Sequence, residues 1–316
     1  MLNRRYLRIK AMQSVYSFFQ SEGTDLVVGE KDLLRSIDRT YDLYLASLIF
    51  PCELADFAAN QQEIAKNKLL PTKEDLNPNT KFVNNLLIRK IRESKTLQKE
   101  ISTHRINWQS DQALDLIRKT WELIKGWDVY KAYMAGSTNS WQEDSEFVTD
   151  IFRKFVGDSD IYEQFIEELS LHWPGDMNMA VAPALLKTCE NTTEEGDVKL
   201  APLYKDPEDD KKFVLDLFRK TVLDNESSSA LIGEKTKNWE VDRIAVMDVI
   251  LMQMAITELK SFQSIPVKVT LNEYIEISKT YSTPKSRQFI NGILDKLVAD
   301  FREKGLIQKT GRGLME

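Results

Sequence analysis

A stretch of thirty residues occurs three times in the chain, and this repeat constrains the fold more than any other feature. The copies begin at Phe82, Phe147 and Phe213, and they align without gaps. Each opens with Phe-Val and has matched positions further on, which are an aliphatic residue (Leu86, Ile151, Leu217), a basic residue (Arg89, Lys154, Lys220), an isoleucine (Ile101, Ile166, Ile232), a tryptophan (Trp108, Trp173, Trp239) and an aspartate (Asp111, Asp176, Asp242). The spacing predicts a helix of about three turns, a second short helix, and a tryptophan that anchors the start of a third helix. We interpret the Phe and Trp residues as core anchors, since aromatic residues at helical spacing are usually buried.

The rest of the chain also favours an all-α fold. Glycine and proline are few, at 12 and 9 of 316 residues, and apolar positions recur every three or four residues. We predict a first helix from about Arg4 to Gln20, and a longer helical region from about residue 30 to 68 that is interrupted at Pro51. No apolar run reaches the ~18–20 residues of a membrane span. Cys52 and Cys189, far apart in sequence, predict buried, reduced thiols and a cytoplasmic protein.

The charge of the chain is unevenly distributed. The net charge of −6 argues against nucleic-acid binding over the whole surface. However, the first ten residues contain four cations and no acid, and the tail after Phe301 adds four more (Arg4, Arg5, Arg8, Lys10; Arg302, Lys304, Lys309, Arg312). A basic patch can bind phosphate on an acidic protein, because salt screens repulsion beyond about 10 Å. A short amphipathic targeting helix is the alternative interpretation of the N-terminal residues.

The C-terminal stretch predicts three consecutive helices. The helix after Asp242 is apolar almost all round, which predicts a central, buried position. Thr270 and Glu273 form a predicted capping box, and Pro284 is predicted at the first position of the last helix. Gly292 is unfavourable inside that helix and suggests close approach of another helix or of a partner. Asn272, Glu273 and Asn291 are expected to make contacts between helices or with a partner.

These residues resemble the NusB family of transcription antitermination factors. The resemblance lies in "DRIAVMDVILMQMAITEL", "IPVKVTLNEYIEISKTYS" and "SRQFINGILDKL", and in the arginine-rich opening "RRYLRIKAMQSVYSF". It covers roughly 120 of the 316 residues, whereas family members are usually small single domains. The resemblance implies a NusB-like helical bundle enlarged by inserted helical repeat units. We therefore predict an N-terminal core helix (1–24), an inserted region (25–205) with repeat units at 82–111 and 147–176, a C-terminal NusB-like domain (206–306) with the third unit (213–242), and a tail (307–316).

The resemblance also implies a function without catalysis, cofactor or metal. NusB proteins bind boxA, a single-stranded RNA element of ribosomal RNA leaders, together with the ribosomal protein NusE, and help RNA polymerase to read through terminators. Arginines at a helix N-terminus suit phosphate, an amide suits base edges, and an aromatic ring suits stacking. The expected RNA-binding residues are Arg4, Arg5, Arg8, Lys10, Gln13, Tyr16, Lys279, Lys285 and Arg287.

Other functions remain as alternatives at the level of sequence. NusB-like domains also occur in RNA cytosine methyltransferases, but this chain has neither a glycine-rich cofactor loop nor an α/β pattern. His104 and His172 have no apparent metal or triad partners. A helical protein-interaction scaffold without RNA binding, or an RNA-binding factor in ribosomal RNA processing, would fit the same helical architecture.

Overall fold

The computed structural model describes residues 1–21, 25–136, 139–170, 173, 175–236 and 244–314. These residues form α-helices and no strand, which confirms the all-α prediction. Single-turn π-helical segments lie at Arg153–Gly157 and Met177–Val181, and a 3₁₀ turn at Gly311–Leu314. The α-helices are α1 (Arg4–Gln20), α2 (Leu26–Lys66), α3 (Lys73–Leu76), α4 (Leu86–Glu93), α5 (Lys95–His104), α6 (Asp111–Gly126), α7 (Asp128–Ala135), α8 (Trp141–Phe152), α9 (Asp160–Leu169), α10 (Ala182–Asn191), α11 (Pro207–Leu223), α12 (Asn225–Lys235), α13 (Val246–Ser261), α14 (Val267–Tyr281) and α15 (Ser286–Glu303).

The chain forms two compact units. The first unit consists of Met1 and Asp38–Leu203, and the second of Leu2–Ile37 and Tyr204–Glu316. Their boundary falls inside α2. The predicted division of the chain into a family core and an inserted region stays a prediction.

Helix α2 differs from the predicted pair of segments, because it continues through Pro51. Proline removes one backbone hydrogen bond from a helix interior. The neighbouring residues Leu48, Phe50 and Leu54 are fully buried in the core of the first unit, and this burial offsets the lost hydrogen bond. Tertiary packing therefore outweighs the local helix-breaking tendency of Pro51.

Two of the repeat tryptophans bind the same helix. The indole of Trp108 donates a hydrogen bond to the carbonyl of Ala46 (3.2 Å), and that of Trp173 donates to the carbonyl of Arg39 (2.7 Å). Both carbonyls belong to α2. The matched tryptophans thus attach the ends of two repeat units to positions about two turns apart on one helix.

The repeat units share the predicted order of elements, with one correction. In the first two copies, two helices precede the tryptophan and another helical segment follows it. In the third copy, α11 and α12 are followed by α13, but Trp239 and Asp242 lie outside the described residues. Phe147 and Phe213 lie inside helices, whereas Phe82 lies in a turn and its helix begins at Leu86. Asn85 stops the helix from starting earlier, because its side chain caps α4 by accepting from the N–H groups of Leu87 and Ile88.

The second unit is built around α13, as predicted. This helix contacts α1, α11, α12, α14 and α15, and most of its side chains are buried. Helix α1 runs from Arg4 to Gln20, as predicted, with Asn3 as its N-cap residue. The side chain of Asn3 accepts from the N–H of Tyr6 at 2.8 Å. This cap fixes the start of α1, and therefore the positions of the arginines that follow it.

The predicted starts of the last two helices are wrong. Helix α14 begins at Val267, so Thr270 lies inside it and caps nothing. Its hydroxyl donates instead to the buried carboxylate of Glu258 at 2.8 Å. Helix α15 begins at Ser286, two residues after Pro284. Ser286 is buried at this start, and its hydroxyl donates to the buried carboxylate of Asp248 at 2.7 Å.

Both cysteines of the first unit are free and buried, as predicted. Burial raises the pKa of Cys52 and that of Cys189 to about 12. At pH 8 both thiols are therefore protonated and unreactive, since only the thiolate is nucleophilic. We expect Ellman's reagent to label neither thiol in the native protein and to label both after denaturation. Fast labelling of the native protein at pH 8 would show that one of the thiols is accessible.

Candidate functional site

The four cations of α1, which are Arg4, Arg5, Arg8 and Lys10, lie in different environments. Arg4 lies at the surface of the second unit, where it pairs with Asp209 and with Asp210 (3.2 Å) of α11. Its guanidinium stacks 4.2 Å from the ring centroid of Phe213. The side chain keeps 35% of its exposure, so a face of this cation remains open to solvent. A cation held flat on a ring is already oriented for an anionic ligand.

Arg5 is more exposed, at 47% of its side chain. It makes a bidentate pair with Glu273 of α14, at 2.9 and 2.8 Å. The hydrogen bonds to Glu273 raise the pKa of Arg5 despite partial burial. Glu273 therefore makes a contact between helices rather than the predicted capping interaction.

Arg8 was expected to contact RNA, but the structure buries it, with only 2% of its side chain exposed. Its guanidinium makes two hydrogen bonds of 2.8 Å to Glu258 of α13. Tyr274 completes the cluster by donating to the same carboxylate at 3.2 Å. Burial opposes the charge of Arg8, but the hydrogen bonds and charge of Glu258 raise its pKa above the ordinary value. Arg8 is a structural cation inside the second unit.

The remaining predicted residues of α1 are also divided between core and surface. Lys10 is buried, with its ammonium 5.5 Å from the ring centroid of Tyr6, so it offers no charge to a ligand. Gln13 is half-buried. Tyr16 is 41% exposed, which leaves its ring available for stacking. The prediction of RNA contact is thus contradicted for Arg8 and Lys10 and stays a prediction for Gln13 and Tyr16.

The predicted residues of α14, α15 and the turn between them are exposed. Lys279 pairs with Glu276 on its own helix, and Lys285 and Arg287 make no ion pair among the residues that the structure describes. Exposed residues also include Asn272 and Asn291, and the amide of Asn291 donates to Asp295 one turn further on. A side chain at Gly292 would meet no described atom within 4 Å. Close approach of another described helix therefore does not explain this glycine.

Arg4 and Arg5 line a cleft of the second unit with a volume of about 1140 Å³. Four further segments complete its walls: the first half of α11, the loop at 261–266, the first half of α14, and the C-terminal tail. The tail is held there because Thr310 donates its N–H, and Lys309 its ammonium, to the carbonyls of Gln263 and Phe262, both at 3.0 Å. The cations that line the cleft are Arg4, Arg5, Arg8, Lys212 and Arg312, and the acids are Asp209, Asp216 and Glu273.

This arrangement can bind an extended anion rather than a compact one. The exposed cations come from both ends of the sequence and from α11, and apolar surface from Phe213, Ile265 and Val269 lies between them. Lys212 was missed by sequence reasoning, because a lysine in an acidic helix start resembles a solvated charge. The sequence shows that the tail is basic, but only its attachment to the loop at 261–266 brings Arg312 to the same cleft.

No group of three or more His, Cys, Asp or Glu side chains in the described ranges could hold a metal ion. Among the same residues, no helix combines the length and apolarity that crossing a membrane requires.

The chain is similar to known proteins in its C-terminal part. It matches the NusB family over residues 190–299. It is 41% identical to the transcription antitermination protein NusB of Salinibacter ruber over 132 aligned residues. The alignment covers 40% of this chain and 82% of that protein. It is 39% identical over 106 residues to the protein of the same name in Chloroherpeton thalassium, which covers 34% of this chain and 50% of that protein. It is 39% identical over 87 residues to that of Syntrophotalea carbinolica, which covers 28% of this chain and 56% of that protein. The chain thus spans most of the first relative but only about half the length of the other two. No solved structure matches the chain significantly.

Proposed function

The chain belongs to the NusB family, and from this premise we propose that it is a transcription antitermination factor. It binds boxA-type single-stranded RNA of ribosomal RNA leaders together with NusE, and so promotes read-through by RNA polymerase. The proposed function needs no catalysis, and the protein would act in the cytoplasm beside the polymerase.

The cleft of the second unit carries the proposal. Its exposed cations, Arg4, Arg5, Lys212 and Arg312, are supplied by separate segments, as a backbone with several phosphates would require. Arg4 and Arg5 are pre-oriented by ring stacking and by a bidentate pair, which lowers the entropy cost of binding. From the core, Arg8 also lies 3.7 Å from the carboxylate of Glu273, the partner of Arg5.

The exposed residues outside the cleft are proposed to extend these contacts. Tyr16 and Gln13 supply a ring and an amide for bases, and Lys279, Lys285 and Arg287 supply further charges. Asn272, Asn291 and Gly292 lie on open surface of α14 and α15. We propose that these small and polar positions contact the protein partner.

The test is a fluorescence-anisotropy titration of labelled boxA RNA and of a scrambled RNA, with and without NusE, over a range of salt concentrations. We expect the pair of proteins to bind boxA more tightly than the scrambled RNA. The affinity should fall with salt, because binding releases counterions from the RNA. Failure of the pair to bind boxA at low salt would remove the proposal and favour a scaffold that binds no RNA.

Charge reversal at the cleft should weaken this binding. For Arg4→Glu/Arg5→Glu we expect a loss on the order of tenfold or more, and a slope of log K against log salt that is smaller by about 1.4. The matched control is Lys296→Glu/Lys304→Glu, which reverses two exposed charges that do not line the cleft. The cleft variant should also lower the melting temperature, because Asp210 and Glu273 are largely buried and would face a like charge. Circular dichroism at the titration temperature is therefore needed to show that both variants are folded. Equal losses in the two variants would show that net charge alone determines binding.

A further inference from the structure

Helices α4 and α5 of the first unit carry an unusual concentration of positive charge. Residues 86–105 contain six Lys or Arg and two acids, in a chain whose net charge is −6. No sequence motif marks this stretch as functional, because its cations are interleaved with the apolar residues of two amphipathic helices. The structure separates the cations that stabilise the fold from those that do not.

Two of the six cations are used inside the first unit. Lys90 donates to the carbonyl of Glu194, and Arg92 pairs with Asp56. The other four are exposed and make no ion pair among the residues that the structure describes: Arg89, Lys95, Lys99 and Arg105. We call these four residues the α4–α5 surface. Exposed cations of this kind can exchange water for the phosphate groups of an anionic ligand, with release of its counterions.

The geometry favours an extended anion over a single phosphate. Lys95 and Lys99 are one turn apart on α5, so their Cα atoms are separated by about 6 Å along the helix axis. The N-terminus of α5 is closed to a phosphate, because Asp197 accepts from the N–H of Thr96 (3.0 Å) and from its hydroxyl (2.8 Å). The cations can therefore follow a phosphate chain along the helix, but α5 offers no compact anion site at its start.

A cleft of about 360 Å³ lies along the same two helices, with Ile91 and Arg92 of α4 and Gln98 and Ile101 of α5 in its lining. Its walls combine apolar side chains, such as Ile101 and Ile106, with three amide side chains (Gln98, Asn107, Gln109). Arg92 and the acids Glu53 and Asp56 complete the lining. Amide groups around an apolar cleft suit the edges and the face of a nucleobase, whereas an acidic protein segment would bring carboxylates towards Glu53 and Asp56.

We propose that the α4–α5 surface binds the backbone of single-stranded RNA, with a base entering the adjacent cleft. The first unit would then add a contact that does not depend on the boxA sequence. This inference rests on the proposed function in that the ligand is RNA, but it concerns a different surface and a different kind of recognition.

The test uses the full chain, without NusE, and a mixed-sequence single-stranded RNA of about 30 nucleotides that lacks boxA. The variant is Arg89→Gln/Lys95→Gln/Lys99→Gln. The control is Lys119→Gln/Lys125→Gln/Lys131→Gln, which removes three exposed cations of the same unit that already pair with acids on their own helices. We expect the variant to lower the slope of log K against log salt by about 2, or ~0.7 for each phosphate contact. The control should leave the slope unchanged.

Failure of this inference can be distinguished from failure of the proposed function. The proposed function is measured by boxA binding in the presence of NusE, which Arg4→Glu/Arg5→Glu should weaken. The α4–α5 variant should leave the ratio of boxA to scrambled-RNA affinity unchanged, because backbone contacts do not read the sequence. The inference is overturned if the wild type does not bind the mixed-sequence RNA, or if the variant and its control have the same slope. It is also overturned if polyglutamate of equal charge competes as well as RNA, which would indicate an acidic protein partner.

Discussion

Replacing Glu258 with alanine is expected to destabilise the second unit by about 3–5 kcal/mol, because it leaves the buried cation of Arg8 without its partner. Arg8 donates two hydrogen bonds of 2.8 Å to this carboxylate, and both side chains are almost completely buried. Thr270 and Tyr274 would lose their acceptor in the same step. The effect can be measured as a shift of the denaturant transition that belongs to the second unit, and as faster hydrogen exchange in α13.

Two further variants separate charge burial from other causes. Arg8→Met/Glu258→Leu removes both charges and should recover much of the lost stability, since a buried ion pair can often be replaced by apolar side chains. Glu276→Ala removes a more exposed acid that pairs with Lys279, and should cost no more than ~1 kcal/mol. If Glu258→Ala costs as little as Glu276→Ala, Arg8 must reach solvent or find another partner.

Replacing Trp108 with alanine is the second change for which we expect a large effect, about 3–5 kcal/mol on the first unit. The Trp108 ring is 5% exposed and stacks on Phe50 and Phe165, with centroids 5.0 and 5.5 Å away. Its removal would leave a cavity against α2 and would remove the hydrogen bond from the indole to the carbonyl of Ala46. Chemical denaturation, with hydrogen exchange in α2, would measure the loss.

The matched position in the second repeat unit supplies the comparison. Trp173 is only partly buried and donates the equivalent hydrogen bond to Arg39, so Trp173→Ala should cost about 1–2 kcal/mol. Trp108→Phe keeps a ring but removes the donor, and it should fall between the two alanine variants. Equal costs for Trp108→Ala and Trp173→Ala would contradict the inference that ring packing, rather than the shared hydrogen bond, dominates at Trp108.

The sequence was sufficient for the fold class and for helix α1, because helical periodicity and capping are local properties. It was insufficient wherever a side chain binds a carboxylate that is distant in the sequence. Thr270 and Glu273 have the spacing of a capping box, but α14 begins earlier and both residues bind groups on other helices. Arg8 looked like its neighbours Arg4 and Arg5, and its burial depends on Glu258, which is 250 residues away.

One signal for Arg8 was nevertheless present in the sequence. Glu258 lies in the predicted central helix, which is apolar almost all round, and a buried acid requires a cation or hydrogen-bond donors. The cleft itself could not be predicted, because it depends on the hydrogen bond from Thr310 to Gln263 that holds the tail in place. The repeats were likewise only partly predictable. Their matched positions indicated the order of the helices but not the turn at Phe82.

Helix α1 holds Arg8 in the core and presents Arg4 and Arg5 at the surface. Successive residues of an α-helix are rotated by about 100° around its axis. The three-residue spacing between Arg5 and Arg8 therefore places Arg5 at the surface when Arg8 is in the core. An insertion or deletion between them would either expose the buried cation or turn the surface arginines away from the cleft. Over evolution, α1 should therefore accept substitutions at its exposed positions but no change in length, whereas the exposed segment around Leu69 and Leu70 is free to vary in length.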